Sequence, residues 1–299
     1  MTTGAPKGTS MLNGLRHIRA GEVELCLRDR GSGQAVVLLH GTTANLGVWD
    51  AVVDRLGDGV RTIAVDQRGH GRSSKPATGY RAADYCGDII ALLQALGSGP
   101  AVLVGHSLGA RNAVVAGALR PDLVAGVVAV DYTPFIEPEV LDELETRVRG
   151  GDRAFASEAE IEEYLRTRYP LMPADAIRRR TIYGYSRQGE VFRPLADPSA
   201  MVSTVNGLRE DFDGAVRKIR VPVTLVRGEH SRIVSERAFA ATRELRPDFR
   251  AVTTPDADHY VPEEAPDAVA DEIDRMLKHT GRASDQPCGP EANRSIQVK

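Results

Sequence analysis

Short runs of β-branched and other apolar residues alternate along this chain with longer segments in which apolar residues recur at helical spacing. Alternation of this kind predicts a parallel sheet with helices on both faces. Two further runs near the start, residues 15–20 and 22–29, predict an antiparallel hairpin before the first parallel strand. The pattern therefore predicts an α/β fold with a mostly parallel, eight-stranded sheet. Its parallel strands are expected at residues 35–39, 62–65, 101–104, 127–130, 223–226 and 250–253.

The alternation stops between residues 132 and 214, where helical segments dominate and no strand pattern is present. A block of helices inside an alternating pattern is typical of a cap inserted into a core domain. We therefore predict a core built from residues 15–131 and 215–279 and a helical cap at residues 132–214. The segments at residues 1–14 and 280–299 lack periodicity and are predicted to be flexible tails.

The composition excludes several classes of protein. The 299 residues are 42% hydrophobic and carry a net charge of −3, so the basic excess that nucleic-acid binding requires is absent. No apolar run approaches the roughly 20 residues of a membrane span, and no secretory signal is recognisable, which predicts a cytoplasmic protein. The cysteines, Cys26, Cys86 and Cys288, are widely spaced, so neither a disulfide framework nor a metal site is expected.

The sharpest motif is Gly-His-Ser-Leu-Gly at residues 105–109, which lies between a predicted strand and the helical pattern of residues 110–119. It matches the G-x-S-x-G nucleophile elbow in its expected context of strand, turn and helix. Small residues at both ends allow the turn to lift the hydroxyl above the sheet while the helix packs closely. Ser107 is therefore the predicted nucleophile, and the competing interpretation is a purely structural turn.

Two loops that follow other strands complete the pattern. His-Gly-Thr-Thr at residues 40–43 offers a backbone N–H for an oxyanion hole, which we predict from the amides of Thr42 and Leu108, with His40 orienting the loop. Asp-Gln-Arg-Gly-His-Gly-Arg-Ser occupies residues 66–73. In this order, the elements resemble the α/β-hydrolase superfamily, and the resemblance implies the α/β-hydrolase fold.

The chain order in this fold is serine, acid, histidine, so the base is expected near the C-terminus. His259 is the one histidine of seven on a late loop after a predicted strand, and His230 is the alternative. The acid departs from the common pattern, because Ser231 stands where many relatives have aspartate. Asp131 can reach the same histidine from the neighbouring strand tip, as in a subset of the superfamily, and Glu229 is the alternative acid. The acid must hold the Nδ1–H of the imidazole to fix its tautomer.

The predicted cap contains eleven arginines and no lysine. Arg147, Arg168 and the run at residues 178–180 are the most informative by position. A guanidinium group matches a carboxylate through two parallel hydrogen bonds. Several such groups facing a dry cavity would select a substrate with more than one carboxylate, although each arginine alone is equally well explained as part of a solvated helix face.

Three stretches are more specific than the superfamily motifs: VDYTPFIE at residues 130–137, PADAIR at residues 173–178 and DADHYV at residues 256–261. They resemble a narrower family, the 2-(acetamidomethylene)succinate hydrolases of pyridoxine degradation, over residues 15 to 278. The resemblance implies amide hydrolysis without a metal or organic cofactor. It also implies a triad of Ser107, Asp131 and His259, and a dicarboxylate site lined by Arg147, Arg168, Arg180 and Ser231.

The expected partner is a small acidic substrate rather than nucleic acid or a membrane, and the assembly considered is a homodimer. Two other functions compete with amide hydrolysis. One is a carboxylesterase or carbon–carbon bond hydrolase with the same triad, and the other is a ligand receptor without activity. Haloalkane dehalogenases and epoxide hydrolases are excluded, because they need a carboxylate nucleophile where Ser107 stands.

Overall fold

A mixed eight-stranded sheet forms the centre of the chain in a computed structural model that describes residues 11–284. The strands are β1 (Leu15–Ala20), β2 (Val23–Arg30), β3 (Gln34–Leu39), β4 (Val60–Val65), β5 (Ala101–His106), β6 (Val124–Val130), β7 (Tyr185–Gln188), β8 (Val191–Pro194), β9 (Val223–Gly228) and β10 (Arg250–Thr254). The order across the large sheet is β1-β2-β4-β3-β5-β6-β9-β10. In the described large sheet, β2 pairs antiparallel with both β1 and β4, and the other neighbouring strands pair parallel, so the predicted fold and its opening hairpin are confirmed.

Helices cover both faces of this sheet. They are α1 (Asp50–Val53), α2 (Ala82–Leu96), α3 (Leu108–Leu119), α4 (Pro138–Arg149), α5 (Glu158–Arg168), α6 (Ala174–Gly184), α7 (Pro198–Gly207), α8 (Asp213–Lys218), α9 (Glu236–Leu245), α10 (Val261–Glu264) and α11 (Pro266–Ser284). Successive strand residues point to opposite faces, so Val37 and Leu39 pack with α2, α3, α8 and α9. Val36 and Leu38 pack with α1, α10 and α11 on the other face. Burial on both faces explains why the central strands read as unbroken apolar runs.

The insertion between β6 and β9 contains helices and a β-hairpin. Its own apolar cluster includes Phe155, Ile161 and Leu165. The expectation that this region holds no strands is wrong at β7 and β8, which pair antiparallel. These strands are only four residues long, and their turn is made by Gly189 at φ 63°, so the period-two pattern is too short to stand out in the sequence.

Parts of both predicted tails, residues 11–14 and 280–284, belong to the described fold. The Met11 carbonyl accepts hydrogen bonds from the side chains of Arg28 and Tyr183, which attaches residues 11–14 to the core. At the other end, α11 continues through the predicted boundary to Ser284, and the Thr280 hydroxyl contacts the Gln34 side chain at 3.1 Å. The predicted flexibility of residues 1–10 and 285–299 lies outside the described residues.

Cys26 and Cys86 are free, buried thiols, as the spacing of the cysteines predicts. Burial raises the pKa of each thiol to about 12, so neither forms a reactive thiolate at neutral pH. Cys288 lies outside the described residues. No helix within residues 11–284 has the length and apolarity needed to cross a membrane.

Substitution of Ile273 tests the packing of α11 on the sheet, because the Ile273 side chain is fully buried. We expect Ile273→Ala to lower the free energy of unfolding by about 2–5 kcal/mol, since truncation leaves a cavity. Asp271→Ala, at an exposed position of the same helix, should change it by less than about 0.5 kcal/mol. Chemical denaturation measures both, and equal effects of the two substitutions would contradict the described packing.

Candidate active site

Ser107 lies on the tight turn between β5 and α3, with φ 53° and ψ −115°. Few L-residues adopt this conformation, and it is held by the hydrogen bond from the Ser107 N–H to the Val130 carbonyl at 2.9 Å. The glycines at 105 and 109 are required by close backbone contacts. A Cβ at Gly105 would lie 2.2 Å from the Gly109 carbonyl oxygen, and one at Gly109 would lie 2.1 Å from the Leu39 carbonyl oxygen. The motif thus places the serine where three strands and a helix meet closely.

His259 lies on the loop after β10 and contacts the carboxylate of Asp131, which follows β6. The distance from Nδ1 of His259 to Oδ2 of Asp131 is 2.6 Å, and Asp131 is only 1% exposed. The two alternatives lie elsewhere. Glu229 is exposed and accepts a hydrogen bond from the Asp256 N–H, and His230 is exposed beside it. The structure therefore joins Asp131 and His259 and leaves Glu229 and His230 outside the pair.

Ser231 interacts with the acid rather than with the cavity. Its hydroxyl donates to Oδ2 of Asp131 at 2.6 Å and accepts the Val234 N–H at 3.1 Å. Oδ1 of Asp131 accepts the Gly228 N–H at 2.9 Å. The carboxylate thus receives three donors from two chain segments, the end of β9 with the turn that follows it and the loop after β10, which stabilises its negative charge. Ser231 is not among the described residues that line the cavity of Ser107, so its predicted contact with substrate remains a prediction.

His106 supports His259 from the turn itself. Burial lowers the pKa of His106 well below its ordinary value, so its ring is neutral. Its Nε2 contacts the backbone carbonyl of His259 at 2.7 Å, and the two ring centroids are 4.6 Å apart. Sequence reasoning treated this position only as a variable residue of the elbow, although its place directly before Ser107 was a usable signal.

The loop that carries Thr42 is fixed by a neutral histidine. Burial lowers the pKa of His40 to about 4. Its Nδ1 lies 2.8 Å from the Gly41 carbonyl, and its Nε2 accepts the Gln67 N–H at 3.0 Å, so the neutral ring suits both contacts. Neither the Thr42 N–H nor the Leu108 N–H donates to another residue in the described range. Both amides are available to a ligand, as an oxyanion hole requires.

Ser107 and His259 line the same cavity. A second cavity adjoins it through shared wall residues of the cap, including Arg168 and Tyr169. The elbow therefore faces a cavity whose walls are supplied in part by the insertion.

Three arginines predicted to bind substrate line this cavity, and their charges are not equally compensated. Arg147 contacts the Tyr260 hydroxyl at 3.3 Å, and Arg168 donates to the Arg147 carbonyl at 2.9 Å. Within residues 11–284, no carboxylate lies within 4.0 Å of either guanidinium group. Arg180 differs, because it is paired with the buried carboxylate of Glu263. The two other arginines of the run at 178–180 form ion pairs with glutamates of α5 and with Asp175.

Two tyrosines of the cavity and Glu263 were missed by sequence reasoning. Tyr169 and Tyr260 make an edge contact with ring centroids 4.7 Å apart. Burial alone would raise the pKa of Tyr169, but the guanidinium groups of Arg180 and Arg168 lower it. Each tyrosine directly follows a residue that had been singled out, so adjacency was the signal for both. No comparable signal marked Glu263.

The chain is similar to known hydrolases in both sequence and structure. The profile described as "Alpha/beta hydrolase family" matches residues 36–272. The 2-(acetamidomethylene)succinate hydrolase of Mesorhizobium japonicum is 49% identical over 262 residues, which cover 88% of this chain and 94% of that protein. A crystal structure of E-2-(acetamidomethylene)succinate hydrolase aligns with a TM-score of 0.87 and 48% identity, covering 88% of this chain and 98% of the other. Esterase Rv0045c of Mycobacterium tuberculosis is 30% identical over 248 residues, 80% of each chain.

Substitution of Gly109 tests whether its close contact with the Leu39 backbone is needed to maintain the elbow. Gly109→Ala would force the Leu39 carbonyl to move, and we expect it to lower the free energy of unfolding by about 1–3 kcal/mol or more. Gly87→Ala, within α2 where nothing lies near the added methyl group, should instead raise it by about 0.5–1 kcal/mol. Denaturation curves of both variants decide the point, and equal stability of the two would contradict the described contact.

The partly buried carboxyl of Glu264, five residues after His259, should make the stability of the fold depend on pH. Its carboxyl accepts the Asp258 N–H at 2.7 Å, and burial raises its pKa to about 7. Because the folded protein holds this proton more tightly than the unfolded chain, stability from Glu264 is present at low pH and is lost as the pH rises through 7. We expect Glu264→Gln to gain stability relative to wild type between pH 5 and pH 8. The exposed Glu244→Gln is the control, and parallel profiles for wild type and Glu264→Gln would contradict this account.

Proposed function

The chain belongs to the alpha/beta hydrolase family, and we propose that it hydrolyses the amide bond of 2-(acetamidomethylene)succinate with Ser107 as nucleophile. The substrate is supported by the 49% identity to the Mesorhizobium japonicum enzyme of that name over most of both chains. The proposed products are acetate, succinate semialdehyde, ammonia and carbon dioxide, formed with the uptake of two water molecules.

The observation that carries the proposal is the pair of guanidinium groups, Arg147 and Arg168, that line the cavity of Ser107 without a carboxylate partner in the described chain. Charged groups that line this partly buried cavity interact strongly, because the effective dielectric constant there is far below that of water. A small molecule with two carboxylates supplies the missing partners. Arginine also suits this task by shape, since its planar fork can bind a carboxylate through two hydrogen bonds.

The first half-reaction transfers the acetyl group to the enzyme. His259 takes the proton of the Ser107 hydroxyl, and the oxygen attacks the acetyl carbonyl carbon. The amides of Thr42 and Leu108 donate hydrogen bonds to the oxyanion of the tetrahedral intermediate, and Asp131 stabilises the imidazolium. The carbon–nitrogen bond then breaks as His259 returns the proton to the departing nitrogen.

The second half-reaction regenerates the serine. A water molecule, deprotonated by His259, attacks the acetyl ester, and acetate leaves as the proton returns to the Ser107 oxygen. The released enamine adds water, loses ammonia and loses carbon dioxide to give succinate semialdehyde. Direct attack of water on the amide is the competing route, and an acetyl adduct on the intact protein, detected by mass spectrometry, would distinguish the two.

Turnover of 2-(acetamidomethylene)succinate, followed by acetate release, tests the substrate. We expect Arg147→Ala and Arg168→Ala each to lower kcat/KM by about 10- to 100-fold, because each leaves a charged hydrogen-bonding group of the substrate unpaired. Arg166→Ala is the matched control, since Arg166 lies on the same helix as Arg168 but pairs with Glu162 at the surface. It should change kcat/KM by less than about twofold. Ser107→Ala should abolish turnover and labelling by a fluorophosphonate.

A wild-type protein that leaves this amide intact but hydrolyses simple esters would refute the substrate and favour the carboxylesterase function, to which the similarity to esterase Rv0045c also points. A protein that neither turns over nor reacts with the fluorophosphonate would refute the nucleophile itself.

A further inference from the structure

Arg180 and Glu263 form a buried ion pair between the insertion and the core. Arg180 lies on α6, and Glu263 lies on α10, the short helix that begins two residues after His259. The Arg180 Nε contacts both carboxylate oxygens of Glu263, at 2.8 and 3.1 Å, and Nη2 makes a further contact with Oε2. The side chains are only 7% and 2% exposed, so the pair is shielded from water.

Aromatic rings fix the guanidinium group in this position. The Arg180 Cζ lies 4.7 Å from the ring centroid of Tyr169 and 5.0 Å from that of Tyr260. Such contacts favour a cation over an aromatic face. Burial alone would lower the pKa of Arg180, but Glu263 raises it above its ordinary value, so the guanidinium group is charged. Because Nε and Nη2 are directed at Glu263, only Nη1 is without a bonded partner in the described range.

The ion pair changes the charge that the cavity presents. Arg147, Arg168 and Arg180 all line it, but the negative charge of Glu263 cancels that of Arg180. Among the described residues that line the cavity, two uncompensated positive charges remain, those of Arg147 and Arg168. A cavity with three uncompensated guanidinium groups would favour a trianion over a dianion.

Resting on the proposed function, we propose that Glu263 is a specificity-determining residue: by neutralising Arg180, it matches the cavity to a ligand with two carboxylates rather than three. Arg180 then lines the cavity with its charge cancelled by Glu263, and the net attraction for substrate comes from Arg147 and Arg168. This refines the prediction from sequence, which grouped the three arginines together as equivalent ligands.

Competition between succinate and propane-1,2,3-tricarboxylate tests this role, with dissociation constants measured by calorimetry on the full chain at low ionic strength. In Glu263→Gln, which frees the charge of Arg180, the affinity for the tricarboxylate relative to succinate should rise by about tenfold or more. In Arg180→Gln/Glu263→Gln, which removes both charges, the ratio should stay within about threefold of wild type. Glu272→Gln is the matched control, because Glu272 forms a similar two-bonded pair with Arg250 away from the cavity. Its ratio should equal that of wild type.

An unchanged ratio in folded Glu263→Gln would overturn the role of Glu263 while leaving the proposed function standing. If the single variant does not fold, the double variant decides, since a loss of succinate binding as large as in Arg147→Ala would show that Arg180 itself provides the attraction. Failure of the wild type to bind succinate would instead contradict the proposed function, and this inference with it.

Discussion

One buried carboxylate brings together the chain segments that form the site. Asp131 follows β6, and its oxygens receive hydrogen bonds from the end of β9, from Ser231 and from His259. An ionised carboxylate at this depth is strongly unfavourable without such donors. The sheet order, in which β6 and β9 are neighbours, brings most of them to one point. The elbow is tied to the same place through the bond from Ser107 to Val130.

The insertion contributes two cavity-lining cations that have no carboxylate partner among the described residues. Arg147 and Arg168 are partly buried and contact neutral acceptors, namely tyrosine hydroxyls and a backbone carbonyl. Neutral acceptors orient a guanidinium group without cancelling its charge. These two cations therefore keep their attraction for an anion, while Arg180 loses most of its own to Glu263. Placement of one carboxylate thus cancels the charge of one of three chemically identical side chains and leaves that of the other two.

Local sequence patterns predicted those features that depend on local structure. The strands, the elbow around Ser107 and the loop of His259 follow from apolar runs and a motif with fixed spacing. The sequence already favoured Asp131 over Glu229 as the acid, although both follow neighbouring strand tips, and the geometry joins Asp131 to His259. The β7–β8 hairpin was missed because its strands are only four residues long. The partnership of Glu263 with Arg180 depends on contact between distant segments, which no local pattern encodes. The same holds for residues 11–14, whose attachment rests on side chains far along the chain.

The hydroxyl of Ser231 also bears on how such sites diverge. The hydroxyl donates to Oδ2 of Asp131, the same oxygen that the His259 ring contacts. Position 231 therefore lies within hydrogen-bonding distance of the acid. A lineage that moves its acid from one strand tip to the next must pass either through an ancestor with two crowded carboxylates or through one with none. The first suffers like-charge repulsion and the second lacks an anion beside the imidazole, so the exchange is hindered in both directions. Serine at this position thus donates to Asp131 without adding a second negative charge beside it.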